Sequence, residues 1–410
     1  MVYDFIVIGG GPAGMMAAGR AAENGASVLL LEKNDRLGIK LVITGKGRCN
    51  ITNNELDTKN LVEKFGKQGR FLFSALNKFG KQDIIDFFES RNLPTNVERG
   101  NRVFPENGNS LDVLAILKDY LNKGKVEVRT KVQIKSIVTK NKVIDKIILS
   151  DKSELQAKKY LIATGGKSYA MTGSSGDGYK WLTAMGHTIV DTNPALTPLL
   201  IKESLVKELE GLSLKNVDIN IYQNNKKIDS RFGEALFTGD GMSGPIILDM
   251  SKKIGLALKD GAVKLEIDFK PSLDFKTLDQ RVQNDFAKSN KKLFRNSLGD
   301  LLPKKLIPLI IKLSKINPDQ PANAITKEER KRLLHLLKNF ELNIKSLYGF
   351  DKAIVTAGGV LLKEVDPKTM QSKIINNLYL AGEILDLDGP TGGYNLQACW
   401  STGFVAGESI

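Results

Sequence analysis

The chain has 410 residues, 41% hydrophobic and 26% charged, enough to bury a sizeable core and build two or three domains of a soluble globular protein. Two cysteines, Cys49 and Cys399, with no C-x-x-C, and two histidines, His187 and His335, exclude a disulfide-stapled secreted fold, a zinc ribbon, a dithiol reductase and a metal cluster, and argue against a Ser-His-Asp triad. The net charge of +14 admits a polyanionic partner, but residues 271–345, where 16 Lys/Arg face 8 Asp/Glu, show no nucleic-acid motif and few aromatics for base stacking, so a solvated helical face is the favoured reading.

The first stretch, residues 3–32, organises the rest. Phe5-Ile6-Val7-Ile8 has the length and β-branched content of a buried parallel strand. It stops at Gly9, Gly11 and Gly14, spaced G-x-G-x-x-G, after which Met15, Ala18, Ala22 and Gly25 fall on one helical face. A second buried strand, residues 27–31, ends on Glu32. Gly9 permits the turn, Gly11 lets backbone approach a pyrophosphate, and Gly14 with Ala18 lets helix and strand pack closely. The helix amino terminus then attracts phosphate, and Glu32 can accept ribose hydroxyls. The strand begins at once, with Asp4 inside it, and no apolar run approaches the ~20 residues of a bilayer span. Neither a signal peptide nor a transmembrane segment is expected, and the cytoplasm is the default compartment.

A basic glycine loop follows, with Leu37-Gly38…Lys40-Leu41 and then Thr44-Gly45-Lys46-Gly47-Arg48-Cys49-Asn50-Ile51-Thr52-Asn53, suited to wrapping a ligand with backbone N–H groups. Residues 58–123 read as mostly helical, interrupted by a strand pair around Gly100. Alternation from Val126 to Leu149 predicts an antiparallel meander inserted into the nucleotide fold, with Val132 where such a strand commonly lends backbone to an adenine. A buried strand, residues 160–163, returns and meets Thr164-Gly165-Gly166. A second polar glycine loop, residues 172–179, precedes a helix. Residues 190–270 are β-rich and contain Phe237-Thr238-Gly239-Asp240-Gly241-Met242-Ser243-Gly244-Pro245, a turn into a helix. Residues 275–340 return to helical periodicity, with Pro308 expected to kink or cap one helix and His335 on a Lys/Arg-rich surface. Near the carboxyl end, Leu378-Tyr379-Leu380-Ala381 runs into Gly382-Glu383, then Gly392-Gly393-Tyr394-Asn395 and a small-residue helix, residues 396–407. That helix start makes a second anionic corner, placed to stabilise charge on a reduced flavin.

The Gly9-to-Glu32 fingerprint and the loop Gly47-Arg48-Cys49-Asn50…Thr52-Asn53 resemble one bacterial flavoprotein family. So do Ala163-Thr164-Gly165-Gly166-Lys167-Ser168-Tyr169, Ser243-Gly244-Pro245, Val355-Thr356-Ala357-Gly358-Gly359-Val360 and Ala381-Gly382-Glu383…Gly392-Gly393…Asn395. It is the NAD(P)/FAD-dependent oxidoreductase family that includes aminoacetone oxidase and bile-acid 3-oxo-enone reductase-like flavoproteins. The resemblance spans nearly the whole chain. It implies an α/β fold: a Rossmann-like FAD-binding domain of glutathione-reductase type (residues 1–189 and 352–410), an inserted β-barrel-like domain (190–271 and 341–351) and a small helical domain (272–340). It also implies non-covalent FAD held by Gly9, Gly11, Pro12, Ala13, Gly14, Glu32, Lys33, Lys40, Gly47, Arg48, Cys49, Asn50, Val132, Ala163, Thr164, Gly165, Gly382, Glu383, Asn395, Leu396 and Gln397. Members often carry a histidine after the Phe-Thr pair, where this sequence has Gly239.

The activity to expect is therefore hydride transfer through flavin N5. Arg48 and Asn50 are the expected polar contacts to the ring, and Cys49 a small residue packed beside it rather than a covalent anchor. With no second βαβ fingerprint, NAD(P)H would act as a transient reductant at the flavin face. The substrate class is a small or steroid-like enone; the alternatives are amine oxidation by oxygen and a flavin-bearing RNA-binding or RNA-modifying protein. Neither a metal nor an oligomeric state is called for by the sequence, and the general acid is unassigned.

Overall fold

The computed structural model describes residues 2–55, 57–288 and 292–410. The chain divides into two units, Met1–Ala195 with Phe350–Ile410, and Leu196–Gly349.

The first unit is built on five parallel strands: β1 (Tyr3–Ile8), β2 (Val28–Leu31), β3 (Glu127–Arg129), β4 (Ala157–Ile162) and β5 (Leu378–Leu380), in the spatial order β5-β4-β1-β2-β3. Phe5, Ile6, Val7, Leu29, Leu30, Leu161 and Ile162 are fully or almost fully buried, as a sheet covered on both faces requires. Each such side chain contributes about 1.5–3 kcal/mol of hydrophobic stabilisation. The expected meander is corrected here. Residues 127–129 pair with β2 at the edge of the parallel sheet, and the antiparallel sheet holds Ile134–Lys140, Val143–Leu149 and Glu154–Leu155. The alternation misleads because an edge strand is half solvated, with Val128 36% exposed.

Two helices flank the sheet: α1 (Pro12–Glu23) and α2 (Tyr394–Glu408). A β-carbon built on Gly403 would lie 2.4 Å from the Ala13 carbonyl oxygen, and one on Gly407 the same distance from that of Ala17. The contact advances four residues on each helix together, so α1 and α2 run parallel. Pro12 is level with Thr402, and α2 begins eight residues earlier, about 12 Å at 1.5 Å per residue.

A two-stranded antiparallel ribbon, Ile189–Ala195 with Val355–Val360, also belongs to this unit. It moves the division to residue 195, past the expected boundary at 189. Beside it, buried His187 forms a clasp. Ser372 Oγ accepts from the N–H groups of Ile374 (3.0 Å) and Ile375 (2.9 Å), so its own proton goes to His187 Nε2 at 2.9 Å. His187 Nδ1 then donates to Glu364 Oε2 at 3.1 Å.

The second unit is a closed antiparallel barrel in the order Leu199–Ile201, Gly241–Ser243, Lys226–Thr238, Ser213–Gln223, Val263–Asp268 and Phe340–Leu347. The helices Phe275–Lys288, Ile307–Ser314 and Lys327–Lys338, expected as a separate domain, share one hydrophobic core with it. Pro308 stands in the first turn of its helix, where the missing N–H costs nothing, and so does not kink it.

Candidate functional site

The glycine corner between β1 and α1 has one crowded side and one open side. Gly9, at φ +110°, has the Ala163 carbonyl oxygen 2.5 Å from where a β-carbon would be, and at Gly14 the Gly9 oxygen is 1.9 Å away. At Gly11 such an atom meets nothing within 4 Å. Pro12 and Ala13 form the first turn of α1, with no side-chain cap among the described residues. This leaves backbone donors and open space where a phosphate would approach.

Glu32 closes the β2 side. Its Oε2 accepts from Gly10 N–H at 2.8 Å and its Oε1 from Asn34 N–H at 2.8 Å. The Val132 N–H donates to the Glu32 carbonyl at 3.0 Å, which brings that backbone alongside. Lys33 Nζ reaches Asp177 Oδ2 at 3.0 Å and Ser175 Oγ at 2.5 Å. The Ser175 hydrogen bond and Lys33 hold the Asp177 carboxyl below its usual range.

At the β5 end, Gly382 sits against Ala13, and its N–H donates to Thr402 Oγ1 at 3.0 Å. Glu383 Oε1 accepts from Thr356 N–H at 2.9 Å, while Oε2 pairs with Lys40 Nζ at 2.7 Å. Lys40 is thus brought to the corner by a partner far along the chain. Burial pushes the Cys399 thiol up to about 12, with the nearby Glu383 charge adding to it, so it stays protonated beside Gly382.

The basic loop behaves less uniformly than its composition suggests. Arg48 pairs with Glu98 at 2.5 Å and lies over the Phe104 ring, 4.2 Å from its centre. The guanidinium thereby ties the loop to the neighbouring strand. Cys49 is fully buried, and burial pushes its thiol up to about 12; it packs and does not react. Gly47 and Asn50 remain on the loop, with Asn50 Oδ1 buried and without a protein partner. On α2, Asn395 Nδ2 donates to the carbonyls of Gly389 and Pro390, and its Oδ1 accepts from Gly389 N–H at 2.8 Å. Leu396 is half-buried, whereas Gln397 is fully buried and turned to Ser401 and the Phe79 carbonyl. Gln397 therefore braces the helix from behind.

Among the described residues of this unit, three buried side-chain polar atoms find no protein partner: Asn50 Oδ1, Asn53 Oδ1 and Thr164 Oγ1. With an open glycine cradle, the Glu32 carboxylate at the end of β2 and two helix starts about 12 Å apart along parallel axes, the donor and acceptor set fits an extended dinucleotide such as FAD. Ala163 and Gly165 complete the cradle at the end of β4, where Gly165 approaches Ser174. Asn53 belongs to the basic glycine loop but not to the expected FAD contacts; its hydrogen bond to the Gly392 carbonyl, far along the chain, is what brings it to the site. Among the described residues no group of three or more His, Cys, Asp or Glu could hold a metal, and no helix is long and apolar enough to cross a membrane.

The family model described as HI0933-like protein Rossmann domain matches residues 3–409. Over 406 residues the chain is 32% identical to the 3-dehydro-bile acid delta(4,6)-reductase of Clostridium scindens, covering 98% of each. Over 409 residues it is 29% identical to the ribosomal RNA dihydrouridine synthase of Escherichia coli, covering 100% of this chain and 98% of that one. Among solved structures, the 3-ketosteroid delta4-(5alpha)-dehydrogenase of Rhodococcus jostii is similar with a TM-score of 0.52 at 14% identity, covering 100% of this chain and 96% of that one. The 3-ketosteroid delta1-dehydrogenase of Sterolibacterium denitrificans gives 0.54 at 13% identity and 99% coverage of both. These last two likenesses are to the fold.

Proposed function

The chain belongs to the HI0933-like Rossmann-domain family and is an FAD-dependent oxidoreductase, and from that premise we propose that it reduces a carbon–carbon double bond conjugated to a carbonyl. The observation that carries this reading is a shared bond type. A 3-oxo steroid with delta(4,6) unsaturation presents such a bond, and so does the uracil ring that a dihydrouridine synthase reduces, although the two relatives differ in substrate size. Bound FAD supplies hydride transfer at N5. The residues would do the rest: the positive start of α2 would favour negative charge on the reduced ring, and the Lys40–Glu383 pair would keep the corner charge-balanced. Gly11 and the α1 amino terminus would receive the phosphates, and Glu32 the ribose. The electron donor is NAD(P)H and the compartment the cytoplasm.

Anaerobic mixing with NADPH or NADH, followed at the flavin bands, tests the donor; addition of a 3-oxo-4-ene steroid then tests the acceptor. Reoxidation by the enone faster than by oxygen supports the reading. Reoxidation by oxygen alone, with peroxide from small amines, overturns it in favour of an amine oxidase.

A second reading, uridine in RNA as substrate, is favoured by the charge of +14 and by exposed Lys304, Lys312, Lys315 and Lys331 in the second unit. Its mark is RNA-dependent reoxidation together with binding that weakens steeply between about 50 and 200 mM salt. Indifference to RNA at low salt would end it.

A further inference from the structure

Asn53 lies on the short strand Thr52–Asn53, paired antiparallel with Arg102–Pro105. It is 1% exposed. Its Nδ2 donates to the Gly392 carbonyl at 2.9 Å and to that of Gly100 at 3.2 Å. Its Oδ1 is buried and meets no donor in the protein. A buried acceptor left without a hydrogen is costly and uncommon, so its retention asks for a ligand.

The carboxamide stands at the start of α2. Gly393, at φ +98°, precedes the helix, and a β-carbon there would fall 2.4 Å from the Thr52 carbonyl, so glycine lets strand and helix end meet. The 15-residue helix has no side-chain cap among the described residues. An acceptor beside a helix start, with its outward N–H donors, is complementary to a cyclic imide: one N–H flanked by two carbonyl oxygens. The pyrimidine ring of a flavin carries that edge.

We propose that Asn53 Oδ1 accepts the N3–H of the flavin pyrimidine, so that the strand Thr52–Asn53 reads the identity of the ring. The proposal rests on the FAD reading. Its test uses flavin-free full-length protein, reconstituted with FAD or with 3-methyl-FAD, which lacks that hydrogen, and followed by flavin fluorescence and visible spectrum. Wild type binds FAD about tenfold or more tightly over the methylated form. Asn53→Ala binds FAD about tenfold less tightly and loses most of the preference.

Equal discrimination by wild type and Asn53→Ala would attribute the effect to the methyl group's bulk and overturn the proposal. Should the alanine variant not fold, wild type binding both flavins alike overturns it just as well. If wild type binds neither flavin, the cofactor reading itself falls. Uracil presents the same edge, so FAD-loaded protein is also titrated with uridine and 3-methyluridine; discrimination there and not between the flavins moves Asn53 to the substrate and overturns the assignment.

Discussion

At the scale of single residues, the second and third glycines of the fingerprint do different work, and substitution separates them. Gly11→Ala places a methyl in open space, so stability stays within about 0.5 kcal/mol of wild type while flavin affinity falls at least about tenfold, because the methyl occupies the phosphate approach. Gly14→Ala drives a methyl against the Gly9 carbonyl and lowers stability by about 1–3 kcal/mol or more. Urea unfolding of the apo-protein and a flavin titration distinguish the two. These positions were legible because G-x-G-x-x-G, a preceding strand and a distant acid form one local pattern. The engagement of Arg48 by Glu98, 50 residues on, and of Lys40 by Glu383, 343 residues on, was not. Spacing says where a side chain starts; its partner is chosen by tertiary structure.

The elements were read well where periodicity is unambiguous and poorly at a sheet edge. Strands β1, β2 and β4 carry the continuous apolar runs Phe5–Ile8, Val28–Leu31 and Tyr160–Ile162, while residues 127–129 alternate as an antiparallel strand would and yet lie parallel to β2. The clasp around His187 shows what element-level reading misses altogether. Burial holds the His187 ring below its ordinary value of 6.5, partly offset by Glu364. Burial pushes Glu364 up, but hydrogen bonds from Thr188 and His187 outweigh it and leave it lowered. Both groups then take up protons more readily unfolded than folded, so their stabilisation is full above about pH 6.5 and is lost as pH falls through the lowered folded values. Thermal unfolding at pH 7.5 and 5.5 will show a melting temperature that drops on acidification. His187→Gln, which keeps one donor and one acceptor but cannot charge, will show a smaller drop.

For the whole molecule, the class of fold was legible from the alternation of strand, glycine turn and helix, and the barrel from family resemblance. The continuity of barrel and helices was not, since a shared core leaves no mark on local periodicity. That core lies within residues 196–349, and the ends of this segment are tied by the Leu199–Leu347 pairing and by Tyr348 N–H to the Pro198 carbonyl at 3.1 Å. Expressed alone, the segment is expected to unfold cooperatively in urea and to bind no flavin; a fragment without a cooperative transition would refute this.

The parallel packing of α1 and α2 has a consequence for how the protein is made. Ribosomes deliver the two helices about 370 residues apart, a wait of roughly 20–70 seconds at ordinary elongation speeds. Throughout that interval the face of α1 that receives Gly403 and Gly407 waits without its partner helix, although Tyr120 can already cover Gly19 on another face.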